Sequence, residues 1–524
     1  MTAQPADRAI KGSDWTAALM ASLMTPRGVI AVWCLYALTN AIVRLIFSRT
    51  LSYHDAIASA LTHGLQFGYQ KGQPPLWEWM LASAQLLLGA GIESHLLVRY
   101  GTIALIGIGL YRASVAASGS VRWSAAVSFS VVLSYQLGWR QFEGGTQAVV
   151  LAAACLFTLD AAMRHVARPG WKTAVYLGVA IGAGFLSKFS FALFMTALVV
   201  ALLLRRETRS GLINRWSLLV LGVAVLVVLP YALWFIQHSV SIGEVIQSRL
   251  VRTEESHVLR AATGLRNLFA NMPAFLAPWF LVVAGLWWMG RRTGAAVKAS
   301  GAAEGVLRDT MLIALAITLI GIVAAGVKHF TVPYLNFLLM PIFPLAAAVL
   351  ARSGPRDGAE LLAAIAIIAM VILTCARIYV LGVGGTSANR SFGPHFPYAA
   401  LAGALTQRGL AEGTIVAFSA RDAGNLRAYL PKAEVLWQGS TERSAEKRTV
   451  PVRRTCVVVD DVGGAAVDAL ENGAGKTAAK RLPSAAGSRE TIEVPWQATL
   501  RATPRTMRWT LIRVDPADPI CTED

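Results

Sequence analysis

The chain has 524 residues, of which 55% are hydrophobic and 15% are charged, and its mean hydropathy is +0.52. This composition excludes an ordinary soluble enzyme, because many windows reach the roughly 20 apolar residues that a helix needs to cross a bilayer. The formal net charge of +18 does not indicate a nucleic-acid partner, since much of the Lys and Arg lies in short gaps between apolar runs. We predict a mainly α-helical, polytopic membrane protein.

The predicted elements begin with a polar N-terminal segment, residues 1–27, which we expect to be cytoplasmic. The apolar run that follows has full spanning length, so it is interpreted as a retained first helix and not as a cleaved signal peptide. About eleven transmembrane helices are predicted within a domain that covers residues 28–384: 28–47, 94–112, 122–138, 144–163, 173–187, 189–205, 216–237, 272–290, 310–327, 331–351 and 359–384.

Successive gaps between these runs alternate in charge. The short gaps on the same side of the membrane as the N-terminus are the basic ones. The positive-inside rule therefore predicts a cytoplasmic N-terminus and an outside C-terminus, which in a bacterial inner membrane faces the periplasm. Two outside loops, residues 48–93 and 238–271, are long. Long loops are uncommon without a function, so we expect the active chemistry on this face.

The composition changes from about residue 385, where a Gly/Ser/Asn-rich linker begins and the hydrophobic runs shrink to strand length. Residues 385–524 are therefore predicted to form a small soluble, periplasmic α/β domain. Cys456 and Cys521 both lie in it and can pair in an oxidising compartment, a question that the sequence leaves open. The cysteine spacing indicates no structural zinc site.

The first outside loop opens with Ser52-x-x-Asp55, a helix-capping pattern. Ile57, Leu61 and Leu65 then recur on one helical face, so an amphipathic helix lying in the membrane interface is predicted. Asp55 has two interpretations. It is either a first-turn acid that the helix dipole favours, or a carboxylate at the membrane face that takes a proton from an acceptor hydroxyl.

The second half of this loop carries the aromatic residues. Gly68-Tyr69 ends the first helix, and Pro74-Pro75 turns the chain into a second helix, Leu76–Leu88. Trp77 and Trp79 in that helix are typical of the boundary between membrane and water.

Taken together, these loop motifs resemble the first periplasmic loop of glycosyltransferase family 39, which includes protein O-mannosyltransferases and aminoarabinose transferases of lipid A. Members of that family have the GT-C fold. The matching features are Asp55, Gly68-Tyr69, Pro74-Pro75-Leu76 and Trp79. Three later segments are also similar, the last of them to the bacterial, rhizobial-type branch: Gly184–Lys188, Pro230 with Trp234, and Gly424–Arg427 with Pro431.

The resemblance implies roles for the acidic residues. Asp55 would accept the proton of an acceptor hydroxyl, helped by Glu143 in the outside gap after the third span. Where the family carries Asp-Glu, this chain has His54-Asp55. His54 is therefore a further catalytic candidate, either as a proton-handling partner of Asp55 or as an independent polar group.

The resemblance also implies a site for the phosphate of a polyprenyl-phosphate sugar. Lys188, Arg249, Arg252 and Lys328 are the cations predicted to bind it. Their alternative roles are snorkelling to the interface, pairing with nearby glutamates or binding lipid headgroups. Tyr69, Trp77, Trp79 and Tyr334 are predicted to form the rim that faces donor and acceptor.

The predicted function is sugar transfer from a polyprenyl-phosphate donor to a hydroxyl of lipid A, lipopolysaccharide core, polysaccharide or protein. The competing hypotheses are a GT-C protein that only binds or presents a lipid-linked glycan, and a lipid-glycan transporter. A transporter should place ionisable groups near the middle of its spans, whereas Arg44, Asp160 and Arg377 lie near span ends. No nucleotide-binding motif is present. No cofactor or metal site is assigned, and dependence on a divalent metal stays open.

Overall fold

The computed structural model describes residues 11–70, 72–238, 256–292, 301–383, 393–438, 449–461, 489–496, 499–500 and 506–523. The helices of the first half are α1 (Lys11–Leu23), α2 (Pro26–Phe47), α3 (Tyr53–Leu61), α4 (Leu76–Leu88), α5 (Ile92–Ser118), α6 (Val121–Ser130), α7 (Tyr135–Gly138), α8 (Thr146–Ala167), α9 (Trp171–Ser187), α10 (Phe191–Leu204), α11 (Arg206–Leu212) and α12 (Trp216–Gln237). Those of the second half are α13 (His257–Leu276), α14 (Trp279–Arg292), α15 (Ala302–Ala325), α16 (Asn336–Leu339), α17 (Ile342–Ser353), α18 (Gly358–Ile378), α19 (Tyr398–Gln407), α20 (Ala420–Tyr429) and α21 (Pro519–Thr522).

Within the described residues, six helices are long and apolar enough to cross a membrane. A seventh span results if Val332–Leu339 and Ile342–Ser353, which meet at an angle of 51°, are counted as one broken span. A multi-pass helical architecture is therefore confirmed. The number of eleven spans stays a prediction, because several of the predicted runs form shorter helices.

The predicted span 272–290 is wrong in its bounds. The structure breaks this run after Leu276 and begins α14 at Trp279. The cause is Pro278, which supplies no backbone N–H and disfavours the helical conformation of the residue before it. The helix on the N-terminal side, α13, extends back to His257 and takes in part of the predicted loop 238–271.

The first long loop, residues 48–93, contains the two predicted helices. Ser52 caps α3, and its hydroxyl accepts from the backbone N–H of Asp55. The second helix, α4, has the predicted bounds, since Pro75 precedes its first turn and Gly89 ends it with a positive φ of 79°. The helix α3 is shorter than predicted because it ends at Leu61, seven residues before Gly68.

The C-terminal residues contain a five-stranded sheet made of β1 (Thr414–Ala417), β2 (Glu434–Trp437), β3 (Cys456–Asp461), β4 (Arg489–Pro495) and β5 (Thr506–Val514). The strand order is β2-β1-β3-β5-β4. The strand β1 pairs in parallel with β2 and β3, whereas β5 runs antiparallel to β3 and β4. A disulfide joins Cys456 on β3 to Cys521 on α21.

The apolar face of α3 packs against the C-terminal residues. Ile57, Ala60 and Leu61 are buried in the same core as Leu401, Leu426 and the sheet. The expectation that this face lies in the membrane interface is therefore wrong for these residues. The sequence correctly predicts which face of α3 is apolar, but a protein surface covers this face in place of lipid. Leu65, beyond the end of the helix, is 68% exposed.

Helix α20 approaches α3 closely enough for backbone contact. A Cβ atom built on Gly424 would lie 2.0 Å from the carbonyl oxygen of Ala56. The carbonyl of Gly424 accepts from the Ser59 hydroxyl at 3.0 Å, and the Asn425 side chain accepts from the Leu51 N–H at 2.7 Å. Arg427 donates to the Ser59 carbonyl at 2.7 Å. These contacts fix α3, and with it Asp55, against α20.

Replacing Gly424 with alanine should lower the free energy of unfolding by about 1–3 kcal/mol, because the added methyl group has to push two backbones apart. Thermal unfolding of the detergent-solubilised protein measures the change. Gly403→Ala is the matched control, since it adds the same methyl group in α19 where nothing lies within 4 Å. Equal unfolding midpoints for the two variants would contradict the proposed tight contact.

Candidate active site

Asp55 is buried and forms an ion pair with Arg99 of α5. The guanidinium Nη2 lies 2.7 Å from Oδ1, and Nε lies 3.2 Å from Oδ2. The Ser52 hydroxyl donates to Oδ2 at 2.8 Å. Burial by itself raises the pKa of Asp55, but the charge of Arg99 and these hydrogen bonds overcome that effect and hold the pKa below its ordinary value. Asp55 is therefore ionised at neutral pH.

Glu143 lies in the same pocket as Asp55, as the sequence predicted, and has its own arginine. The Nε atom of Arg44 is 3.3 Å from Glu143 Oε1. Arg44 also donates to the carbonyl oxygens of Ser48 and Thr50, at 3.0 and 2.7 Å. Arg99 donates its remaining hydrogen bonds to carbonyl oxygens of the Glu143 segment, at Gln141 and Gly144. The two arginines thus join the first outside loop to the gap after the third span.

The pocket between these groups is narrow and largely enclosed. Its polar lining is Arg44, Thr50, Ser52, Asp55, His95, Arg99, Tyr100 and Glu143. His95 is buried, and neither of its ring nitrogens has a hydrogen-bond partner. Unpaired polar atoms in a buried pocket are costly, so this histidine is a group that a ligand or a water molecule would satisfy. His54 is exposed and packs edge-on against Tyr53, outside this pocket.

The three predicted rim residues of the first loop lie in different environments. Trp77 is fully buried, with Arg99 5.3 Å from its ring, so its predicted place at the membrane boundary is wrong. Trp79 is partly exposed and donates to the Gln66 carbonyl at 2.6 Å. The Tyr69 hydroxyl accepts from the Gln66 N–H at 3.0 Å and donates to the Gly64 carbonyl. Tyr69 therefore ties its own loop together.

The predicted phosphate-binding lysine meets another predicted residue. The Lys188 ammonium lies 4.0 Å from the ring centroid of Tyr334, a cation–π contact. Lys328, in the same short segment as Tyr334, is half-buried, and its carbonyl accepts from Asn267 at 3.1 Å. Arg249 and Arg252 lie outside the described residues.

Near Lys188, the end of α9 is joined to the first loop by an apolar cluster. Leu186, Tyr231 and Trp234 are buried together, and Leu76 and Trp79 of α4 pack against them. The segment that carries Lys188, the predicted phosphate-binding lysine, is thus packed next to Trp79, one of the predicted rim residues.

An acidic residue that the sequence analysis overlooked lies in α4. Glu78 is 1% exposed. Its Oε1 atom accepts from the side-chain amides of Gln70 at 2.9 Å and Gln147 at 3.2 Å. Its Oε2 atom is buried and has no hydrogen-bond partner among the described side chains. Burial raises the pKa of Glu78 to about 7, although hydrogen bonds from its own backbone and the two amides oppose this rise.

An apolar groove runs along the other side of α4 and α5. Its lining residues are Cys34, Trp79, Met80, Ser83, Ala84, Leu87, Leu97, Val98, Gly101, Thr102, Ala104, Leu105 and Ile108. Leu97, Val98 and Gly101 belong to the same turns of α5 as His95 and Arg99, which line the polar pocket. The groove and the pocket therefore lie on different faces of one helix.

Among the residues that the structure describes, no three His, Cys, Asp or Glu side chains are grouped so that they could hold a metal ion.

Arg99, His95 and Glu78 carried a signal that the sequence analysis did not use. Arg99 and His95 are ionisable residues inside a predicted span, where such residues mark functional sites. Glu78 lies between two tryptophans in a helix that was interpreted as interfacial. An acid in such a helix, away from any Lys or Arg four residues along, is itself unusual.

The arrangement of the described helices, the first polar loop and the C-terminal sheet is similar to that of ArnT, and the following comparisons confirm the resemblance predicted from the sequence. The family model described as dolichyl-phosphate-mannose-protein mannosyltransferase matches residues 72–234. The structure of ArnT from Cupriavidus metallidurans bound to undecaprenyl phosphate is similar with a TM-score of 0.57, at 13% identity, covering 94% of this chain and 99% of that one. The apo state of ArnT gives a TM-score of 0.56, at 13% identity, over 93% of this chain and 98% of that one.

Two curated relatives match most of the chain. The lipopolysaccharide core galacturonosyltransferase RgtA of Rhizobium johnstonii is 24% identical over 409 residues, which is 76% of this chain and 80% of that protein. RgtB of the same organism, also a lipopolysaccharide core galacturonosyltransferase, is 25% identical over 425 residues, covering 78% of this chain and 82% of that protein.

Proposed function

We propose that this protein transfers a sugar from a polyprenyl-phosphate donor to a hydroxyl group of a glycan, lipid or protein acceptor on the periplasmic face of a bacterial inner membrane. One observation carries the proposal: an apolar groove and a buried carboxylate pocket lie on different faces of the first turns of α5. The groove suits a polyprenyl chain. The pocket has a volume of about 10 Å³, which holds a single hydroxyl-sized group and not a sugar ring. The similarity to an ArnT structure that holds undecaprenyl phosphate supports this donor class.

The phosphate of the donor is proposed to bind at Lys188. This lysine follows Leu186, whose cluster includes Trp79 at the edge of the apolar groove. A lipid in the groove would therefore bring its headgroup to the part of the site that carries a cation. Lys328 and, from outside the described residues, Arg249 and Arg252 are the further proposed cations. Their function would be to stabilise the negative charge of the departing polyprenyl phosphate.

The acceptor is proposed to bind on the carboxylate side, at Asp55 and Glu143. An ionised carboxylate accepts hydrogen bonds from hydroxyl groups, and Arg99 keeps Asp55 ionised. The same arginine makes Asp55 a weak proton acceptor, because protonation would leave a buried guanidinium without its counter-charge. Asp55 is therefore better suited to holding and orienting a hydroxyl than to storing its proton.

Two features support the proposal that the site faces the periplasm and the N-terminus the cytoplasm. The short gaps on the N-terminal side of the spans are basic, which favours a cytoplasmic N-terminus. The disulfide between Cys456 and Cys521 suits an oxidising compartment such as the periplasm.

A second candidate function is glycan binding without catalysis. The observation that favours it is the occupation of both Asp55 oxygens by Arg99, which leaves less room for acid–base chemistry. Against it, Asp55 lines a pocket and is not buried away from every cavity.

The experiment that decides between these functions is a comparison of envelope glycans with and without the protein. Lipid A, lipopolysaccharide core, polysaccharide and glycoprotein glycans would be analysed by mass spectrometry from a deletion strain and from the same strain carrying the gene. Transfer predicts one glycan class that gains a sugar only when the gene is present. Identical glycans in both strains would contradict the proposed enzyme.

Replacing Asp55 with asparagine or Lys188 with alanine should each lower the transfer rate in membranes at least about tenfold, because each removes a charge proposed to contact a substrate. The rate is measured as incorporation of the sugar identified above. Asp357→Asn and Lys172→Ala are the controls, since both residues are exposed and lie outside the site. Unchanged transfer in both D55N and K188A would show that the site is misplaced.

A further inference from the structure

Glu78 differs from the other two acids of the site in its partners. Asp55 and Glu143 are each paired with an arginine. Among the described residues, Glu78 receives hydrogen bonds from neutral donors: the side-chain amides of Gln70 and Gln147, both on Oε1, and its own backbone. Its Oε2 atom is buried and accepts from no side chain of the described residues. A buried carboxylate oxygen without a hydrogen bond costs free energy, so this atom is available to a polar ligand.

The residues on either side of Glu78 in α4 contact the two halves of the proposed site. Trp77, the residue before it, lies under Arg99 of the carboxylate pocket. Trp79, the residue after it, belongs to the cluster that leads to Lys188 and also lines the apolar groove. Gln147, which donates to Glu78, follows the segment that carries Glu143. This turn of α4 thus contacts both the carboxylate pocket and the cluster beside Lys188.

We propose that Glu78 is the carboxylate that accepts the proton of the acceptor hydroxyl during sugar transfer, with its free Oε2 atom facing the reacting oxygen. This inference rests on the proposed function. Asp55, held ionised by Arg99, then orients the acceptor. Two carboxyls in contrasting environments commonly divide an electrostatic role and a proton-transfer role in this way.

The reaction balances without a further reagent. The acceptor O–H bond breaks, and its proton passes to Glu78. The acceptor oxygen forms a bond to the anomeric carbon of the donor sugar, while the bond from that carbon to the phosphate oxygen breaks. The electron pair leaves with the polyprenyl phosphate, whose charge Lys188 stabilises. Glu78 afterwards returns its proton to water.

The surroundings of Glu78 favour proton acceptance near neutral pH. Among the described residues, Glu78 has no cation among its partners, and burial raises its pKa to about 7, close to the optimum for a general base at that pH. Its charge acts on the phenols of Tyr69 and Tyr231, which are neutral at that pH. Among the described residues, four charged groups on the elements around α4 have other contacts: Arg99 bonds to Asp55, Glu143 pairs with Arg44, Lys188 lies over the ring of Tyr334, and Arg427 donates to Gln85.

The test measures initial rates of sugar transfer between pH 5 and 9, in membranes of the deletion strain carrying each variant and using the donor and acceptor of those membranes. The wild-type rate should rise with pH through about 7. Glu78→Gln should lower the rate at least about 100-fold and remove this rise. Glu78→Asp should keep part of the activity. Glu93→Gln is the control, because this carboxyl is half-exposed and pairs with Arg49.

A second variant separates proton transfer from a structural role. Gln147→Met removes one donor to Glu78 and leaves the carboxyl in place. Loss of a hydrogen bond to the ionised form should raise the midpoint of the rate profile by about half a pH unit or more. Each of three results would overturn the proposal. They are a midpoint in Q147M equal to that of the wild type, a rate in E78Q within threefold of wild type, and a pH dependence that is lost in D55N but kept in E78Q. No transfer by the wild-type protein would instead contradict the proposed function itself.

Discussion

Replacing Arg99 with methionine should lower the free energy of unfolding by about 3–5 kcal/mol, because the Asp55 carboxylate then stays buried without its counter-charge. The pair is 2.7 Å apart, and the two side chains are 2% and 9% exposed. The same change also removes the hydrogen bonds from Arg99 to the carbonyls of Gln141 and Gly144. Detergent-solubilised protein unfolded with increasing SDS in mixed micelles measures the difference.

The double variant Asp55→Asn with Arg99→Met tests the cause. It removes both charges, so it should be more stable than R99M alone, and the difference measures the cost of the unpaired carboxylate. Arg49→Met is the matched control, since Arg49 pairs with Glu93 at the surface and should contribute at most about 1 kcal/mol. If R99M and R49M were equally stable, the ion pair would not be what fixes Asp55.

The ion pair also explains how much of the site the sequence could predict. Asp55 was identified from its capping position and its loop. Its partner lies 44 residues later in an apolar helix, and no local spacing connects the two. Glu143 was placed near the site by its outside gap. Its contact with Arg44 depends on how α2 packs beside that gap, which is a tertiary property.

The helices were predicted best where chain-local chemistry determines them. The bounds of α4 follow from Pro74-Pro75 and Gly89, and those of α12 from one uninterrupted apolar run. The apolar face of α3 was found, but not the surface that covers it, because helix periodicity indicates burial without naming the partner. For the same reason the close contact of Gly424 with Ala56 could not be predicted.

Glu78 was missed because its environment comes from three separate parts of the chain. Two tryptophans flank it in the sequence and indicate an interfacial helix. Its burial depends on the return of the loop at Gln70 and on Gln147 from the start of α8. A carboxyl becomes a functional candidate only when such contacts, and the absence of a cation among them, are known.

The stability difference between Glu78→Gln and the wild-type protein should increase by about 3 kcal/mol, in favour of the variant, as the pH rises from about 4.5 to 8. The pKa of Glu78 is raised from 4.5 to about 7 in the folded protein because the carboxyl is buried. Between these values the folded state binds more protons than the unfolded state. The free energy of unfolding of the wild-type protein therefore falls as the pH rises through this window. Glutamine does not titrate, so E78Q lacks this loss.

Measuring the difference between two proteins at each pH is what makes this prediction specific, because every other titrating group contributes equally to both. SDS unfolding at pH 4.5, 6, 7 and 8 gives the series, with Glu93→Gln, a change at a half-exposed carboxyl that pairs with Arg49, measured in parallel. If the stability difference between E78Q and wild type did not change with pH, the Glu78 carboxyl would ionise without a cost in free energy. Such a carboxyl would bind a proton too weakly to serve as a general base near pH 7. A rising series would mean that the protein retains a destabilising acid in α4, as expected where a buried group is kept for catalysis and not for stability.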